Sequence, residues 1–107
     1  MTGNLFEIPS SARAGEVSTD LVDSPAVRIE RIVSTGQVSP PGFWYDQDQD
    51  EWVAVLQGSA SLEIEGREDL VQLIPGDWIH LAAHQRHRVA KTATDGPTVW
   101  LAVHFSE

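Results

Sequence analysis

The chain has 107 residues, enough for one hydrophobic core and too few for two comfortable ones. Hydrophobic residues make up 41% of it, the mark of a folding chain and not of a disordered one. Seven basic against sixteen acidic residues leave a net charge of −9, a field that repels nucleic-acid phosphates and anionic membrane surfaces alike.

Residues 1–25 read as an N-terminal arm. Leu5, Phe6 and Ile8 are apolar enough to dock as an edge strand, and 10–23 is small, polar and acidic, a loop or one short helical turn. From Val27 the period becomes two. "VRIERIVS" puts Val27, Ile29, Arg31 and Val33 on one face and Arg28, Glu30 and Ile32 on the other. Gly36, Pro40, Pro41 and Gly42 then supply turn punctuation.

The polar run Asp46–Glu51 leads straight into "EWVAVLQ", with Glu51, Val53 and Val55 on one face and Trp52, Ala54 and Leu56 on the other. A strand apolar on both faces is buried on both. One face would line a barrel interior. The other needs a cover, either the N-terminal segment or a second subunit, and a homodimer is expected. "SASLEIE" alternates Ala60, Leu62 and Ile64 against Ser61, Glu63 and Glu65, and Gly66 marks a hairpin turn. "DLVQLI", the turn at Pro75-Gly76-Asp77, "DWIHLAA", the loop "HQRH" and "RVAKTA" follow, and Gly96-Pro97 breaks the chain before "TVWLAVHF". Seven or eight short strands at regular spacing predict an all-β sandwich or barrel, a single domain over 26–107.

Several functions drop out. The chain has no cysteine, which removes disulfides, thiolate ligands and a Cys nucleophile and fits a reducing cytoplasm. The start "MTGNLFEIPSS" lacks the basic-then-apolar pattern of a secretory signal, and no apolar stretch approaches the ~20 residues of a membrane span. A cytoplasmic location is expected. Lys91 is the single lysine, and nothing around it favours a Schiff base. There is no Gly-rich phosphate loop, HExxH or GxSxG. Asp46, Asp48 and Asp50 imitate the start of a calcium loop. The required glycine is Glu51, the twelfth position is Gln57, and no helices flank it, so that reading fails.

Glu51 followed by six residues and Gly58 matches the second half of a G-x5-H-x-H-x3–4-E-x6-G motif. "GDWIHLAAHQRHRVAK" follows G-x5-P-x-G-x2-H-x3-N, with Gly76 and His87 in place and Ala82, His84 and Lys91 at the Pro, Gly and Asn positions. In these half-motifs, from about Arg28 to Phe105, the chain resembles the cupin superfamily, and within it the small single-domain bacterial type 2 proteins. The resemblance implies a jelly-roll β-barrel. In metal-binding cupins three histidines and a glutamate hold a divalent ion, and here both first-motif histidines are missing. With the shorter spacing Tyr45 and Gln47 take their places; with the longer one, Trp44 and Asp46 do.

The resemblance therefore implies Glu51, His87, Gln47 and Tyr45 as candidate metal ligands, with His84 as a substitute should its loop turn inward. Iron, zinc, manganese and nickel all suit such nitrogen and oxygen donors. In a dry interior an ionised carboxylate needs a cation or strong hydrogen-bond donors beside it. Without metal, Glu51 beside His87 could move a proton on an enolisable substrate. Trp78, His80, Trp100 and His104 are candidate pocket-lining residues, although alternation does not decide whether His80 and His104 face in or out. The plainer readings stand beside these: His87 as a satisfied core histidine, Glu51 as a solvated strand start, Gln47 and His84 as loop residues.

Three functions follow: a metal-dependent oxygenase or isomerase acting on a small molecule, a metal-free small-molecule binding or sensing module, and a dimerisation domain with a vestigial pocket.

Overall fold

The computed structural model describes residues 2–106. Eight strands follow one another: β1 (Val17–Asp23), β2 (Val27–Ser34), β3 (Asp50–Gln57), β4 (Ala60–Ile64), β5 (Val71–Leu73), β6 (Trp78–Leu81), β7 (His87–Thr92) and β8 (Thr98–Phe105). They form two antiparallel sheets, of order β1-β2-β8-β3-β6 and β5-β4-β7. The all-β architecture expected from the strand spacing, and the jelly-roll implied by the resemblance, are the fold. No helix among the described residues is long and apolar enough to cross a membrane.

The alternation seen in the sequence becomes the core. Val53 and Val55 of β3, Leu62 and Ile64 of β4, Leu73, Leu81, Trp100 and Ala102 pack between the sheets. Each large aliphatic side chain so buried contributes about 1.5–3 kcal/mol. Gly58 closes the β3–β4 hairpin at φ +83°, and a Cβ there would lie 2.7 Å from the Thr98 Cα and 2.8 Å from the Pro97 carbonyl oxygen. That close approach is why a glycine ends the E-x6-G spacing.

The register of the large sheet decides which polar side chains meet. Arg28, His104, Glu51 and Leu81 lie side by side across β2, β8, β3 and β6, all facing the small sheet. Glu30, Ala102, Val53 and Ile79 form the next inward row. The opposite face carries the rows Ile29, Val103, Trp52, His80 and Arg31, Leu101, Ala54, Trp78.

The N-terminal arm departs from expectation. Leu5, Phe6 and Ile8 form no strand; the edge strand is β1, which the sequence presents as loop. The helical turn does occur, as a 3-10 turn over Ser10–Arg13. β1 was illegible because an edge strand needs only its backbone ladder to β2, and its side chains stay mostly exposed. Arg31 fixes the arm from the outer face, donating to the Glu7 carbonyl at 2.7 Å and to Thr19 Oγ1 at 3.4 Å.

Candidate functional site

A cavity of about 250 Å³ opens between the two sheets. The large sheet supplies Arg28, Glu30, Glu51 and His104, the small sheet supplies His87, and the segment before β3 supplies Tyr45 and Gln47. Glu51 and His87, far apart in the chain, therefore come together, with Gln47 and Tyr45 lining the same cavity. Glu51 is no solvated strand start, since it is buried and borders the cavity. His87 is buried too, and it borders the same cavity.

Two carboxyl–imidazole pairs lie side by side. His87 Nε2 is 3.4 Å from Glu51 Oε1, and His104 Nε2 is 2.9 Å from Glu30 Oε1. His104 Nε2 also lies 3.7 Å from Glu51 Oε2, so Glu51 stands between two imidazoles. Cross-strand register brings Glu51 to His104, while His87 reaches across from the opposite sheet.

The pairs differ in where their protons sit. His87 Nδ1 is 2.9 Å from the Gln85 carbonyl oxygen, which only accepts, so Nδ1 carries a proton. A neutral His87 then turns the lone pair of Nε2 toward Glu51, and the pair can hold one further proton on either partner. Burial opposes the imidazolium, but Glu51 and the Gln85 carbonyl outweigh it and raise the His87 pKa above 6.5. In the other pair, the hydrogen bond from His104 lowers the Glu30 pKa against the opposing effect of burial, helped by the charges of Arg28 and His104. Glu30 is thus an ionised acceptor and His104 Nε2–H its donor.

Tyr45 holds the His87 ring. The two rings stack at 5.3 Å and 23°, Phe43 meets Tyr45 edge-on at 4.9 Å, and backbone hydrogen bonds join Tyr45 and His87 in both directions. Burial first, then the charges of Glu16, Glu51 and Glu30, raises the Tyr45 pKa above 10, so with no cation beside it the side chain stays a phenol.

The Cupin domain family model matches residues 29–104. The chain is a cupin. Among solved structures it is similar to a protein of Ralstonia eutropha JMP134, named provisionally as a mannose-6-phosphate isomerase, at 52% identity over 100% of this chain and 99% of that one, TM-score 0.94. It shares the fold of a Thermus thermophilus protein (16% identity, 98% and 96% coverage, TM-score 0.78) and of a cupin superfamily protein of Desulfitobacterium hafniense DCB-2 (20%, 86% and 78%, TM-score 0.71). No curated protein matches it.

Cupins commonly bind a divalent metal, and the donor set of this one can be tested against such an ion. Glu51 and His87 are the two strong donors; Gln47 is a neutral amide, Tyr45 a phenol, and His104 Nε2 is engaged with Glu30. Among the described residues no group of three or more His, Asp or Glu side chains is arranged to hold a metal ion. The residues present thus lack the three-histidine-and-glutamate set of metal-binding cupins, and Glu51 and His87 are the two that keep its donor types.

Three sequence expectations are corrected. His84 does not turn inward: at φ +64° it is an exposed rim residue, its Nδ1 2.8 Å from Asp46 Oδ1 and its Nε2 3.8 Å from Asp48. The Asp46 hydrogen bond raises its pKa. Trp78 and His80 do not line the pocket. They lie on the outer face, Trp78 60% exposed and beside Trp52, His80 paired with Asp50 at 2.8 Å. Their strand begins at Trp78, and its inward residues are Ile79 and Leu81. Trp100 and His104 do line the cavity.

Sequence reasoning missed Arg28, Glu30 and Glu16. Glu30 and Arg28 shared a face with Ile32, the one available signal that this face of β2 mixes charge with core. Glu16 gave no signal. It reaches the wall because Ser34 Oγ donates to its Oε2 at 2.9 Å and accepts from Trp100 Nε1–H at 3.1 Å.

Proposed function

We propose that this cupin binds a small polar molecule in its barrel cavity and moves a proton on it through the Glu51–His87 pair, chemistry of the isomerase type. The supporting observation is the 3.4 Å approach of a buried carboxyl to an imidazole nitrogen whose partner nitrogen is already committed to Gln85. Such a pair takes a proton at one position and returns it at another. Glu30 and His104, tied to each other, hold Glu51 in a polar wall and supply a fixed N–H beside it. The provisional name of the Ralstonia relative, an isomerase, points to the same class of reaction.

The test is solvent exchange. In D2O, a panel of small hydroxy-carbonyl compounds is followed by NMR for deuterium at the carbon beside the carbonyl. Exchange lost in Glu51→Gln and His87→Gln but kept in His84→Ala supports the reading; a panel with no exchange above background counts against it. Metal content is read on the same preparations. Stoichiometric iron, zinc, manganese or nickel that survives dialysis and vanishes in Glu51→Ala and His87→Ala would restore the metal-dependent reading.

The homodimer is proposed on separate grounds. Trp52, Leu101, Val103 and the exposed Trp78 leave the outer face of the large sheet apolar, and the arm ties to this face near Arg31. A second copy of the same face is the occupant proposed for it. Light scattering should give twice the chain mass, falling to one in Leu101→Glu; a monomeric wild type ends this proposal.

A further inference from the structure

We infer that the cavity selects a ligand bearing a protonated amine and rejects phosphorylated ones. The inference rests on the reading of the cavity as a small-molecule site and names the chemical class it takes.

The charges around the cavity are unequal. Glu16, Glu30 and Glu51 border it, and Arg28 is the one permanently cationic side chain among its lining residues. Arg28 is already shared, 3.7 Å from Glu30 and 3.9 Å from Asp20. The adjoining hollow at the mouth, which also touches Arg28 and His104, adds Asp46 and Asp48. A phosphate arriving there meets five carboxyl side chains against the one guanidinium of Arg28. Phosphate sites are built from arginine forks, helix N-termini or nests of backbone N–H groups. Most of this wall is paired strand, and no α-helix occurs among the described residues.

An independent observation points to a donor-bearing ligand. Glu51 is more than nine-tenths buried and faces the cavity, yet its two imidazole contacts, at 3.4 and 3.7 Å, are both longer than a full-strength hydrogen bond. Glu30, by contrast, is matched at 2.9 Å. A buried carboxyl with unspent acceptor capacity beside a matched one is the place where an ammonium or hydroxyl of the ligand would dock. At about 250 Å³ the space suits a metabolite smaller than the usual drug-sized occupant. The relative named provisionally for a phosphosugar makes the expectation sharp, because the charge of this wall opposes the phosphate.

Methylammonium and methyl phosphate, the smallest carriers of the two charges, decide the matter. Each is titrated at constant ionic strength with EDTA present, following the His87 imidazole and Trp100 indole NMR signals. Methylammonium should shift both signals saturably, with a dissociation constant of roughly 10–100 mM, the range open to a ligand of two heavy atoms. Glu51→Gln should weaken it about tenfold or more, the share of one charge-assisted hydrogen bond. Methyl phosphate should do no more than sodium chloride. Should Glu51→Gln fail to fold, Glu16→Gln on the arm should give a smaller loss. Saturable phosphate binding, no saturable methylammonium response, or equal affinity in the variants would each overturn the inference. The solvent-exchange experiment reads proton transfer at carbon and this one reads binding alone, so the failure of either is distinct from that of the other.

Discussion

Asp50 and Glu51 are neighbours in the chain, and each meets an imidazole, but on opposite faces of β3. Outside, Asp50 sits 2.8 Å from His80 Nε2 and accepts the Ala83 N–H at 3.0 Å. Inside, Glu51 stands 3.4 Å from His87. The outer pair is shorter and water reaches it, so it pins the loop after β6 at little net gain. The inner pair is longer and buried. There a proton held by one partner must be answered by the other, and leaving either alone is costly. The same two functional groups thus serve attachment on one face and, in the proposed reading, proton transfer on the other, and the difference is burial.

Substitutions that exchange the two faces test this. The largest effect should come from packing. Leu62→Ala, inside, should cost about 2–5 kcal/mol in urea denaturation. Trp78→Ala, outside and mostly exposed, should cost less than about 1 kcal/mol in a dilute monomer. A loss at Trp78 equal to that at Leu62 would mean that the outer face is covered in solution.

Next come the pairs themselves. His87→Ala should cost about 1–3 kcal/mol, the penalty for a buried polar partner left alone, whereas His80→Ala should stay within about 1 kcal/mol. Equal losses would erase the distinction between the faces.

A smaller effect lies in pH dependence. The raised His87 pKa means that its contribution is complete below 6.5 and fades as pH rises through the higher folded value. The lowered Glu30 pKa means that its contribution is present above 4.5 and is lost as pH falls through the lower folded value. Urea midpoints across this range should therefore decline at both ends. His87→Gln should remove the decline on the alkaline side, and Glu30→Gln should converge with wild type in acid. A Glu30→Gln curve parallel to wild type at every pH would show that this carboxyl does not titrate with folding.

The smallest effect should come from the rim. Arg86 NH1 meets Glu65 at 2.7 Å with both side chains exposed, and its guanidinium lies 5.6 Å from the Trp44 ring. Arg86→Ala should change stability by about 0.2–1 kcal/mol, as exposed pairs do, and less in high salt.

By itself the sequence determined the strand periods, the turns and the one family carboxyl and imidazole, because side-chain alternation and glycine or proline punctuation are local properties. Glu51 and Val53 share a face in any strand, and Gly58 must follow wherever the hairpin closes on Thr98. Only the tertiary structure decided what those faces meet. The stagger of β2 against β8 puts Glu30 beside His104 and Arg28 in line with Glu51, and a shift of one residue would have sent the β2 pair outward. His80 and His104 look alike in sequence, each sharing its strand's alternating face with a tryptophan, Trp78 or Trp100. The sheet turned one to water and the other to the cavity. Pairing between distant strands carries no local signature, so the second carboxyl–imidazole pair became visible only once the sheets had closed around it.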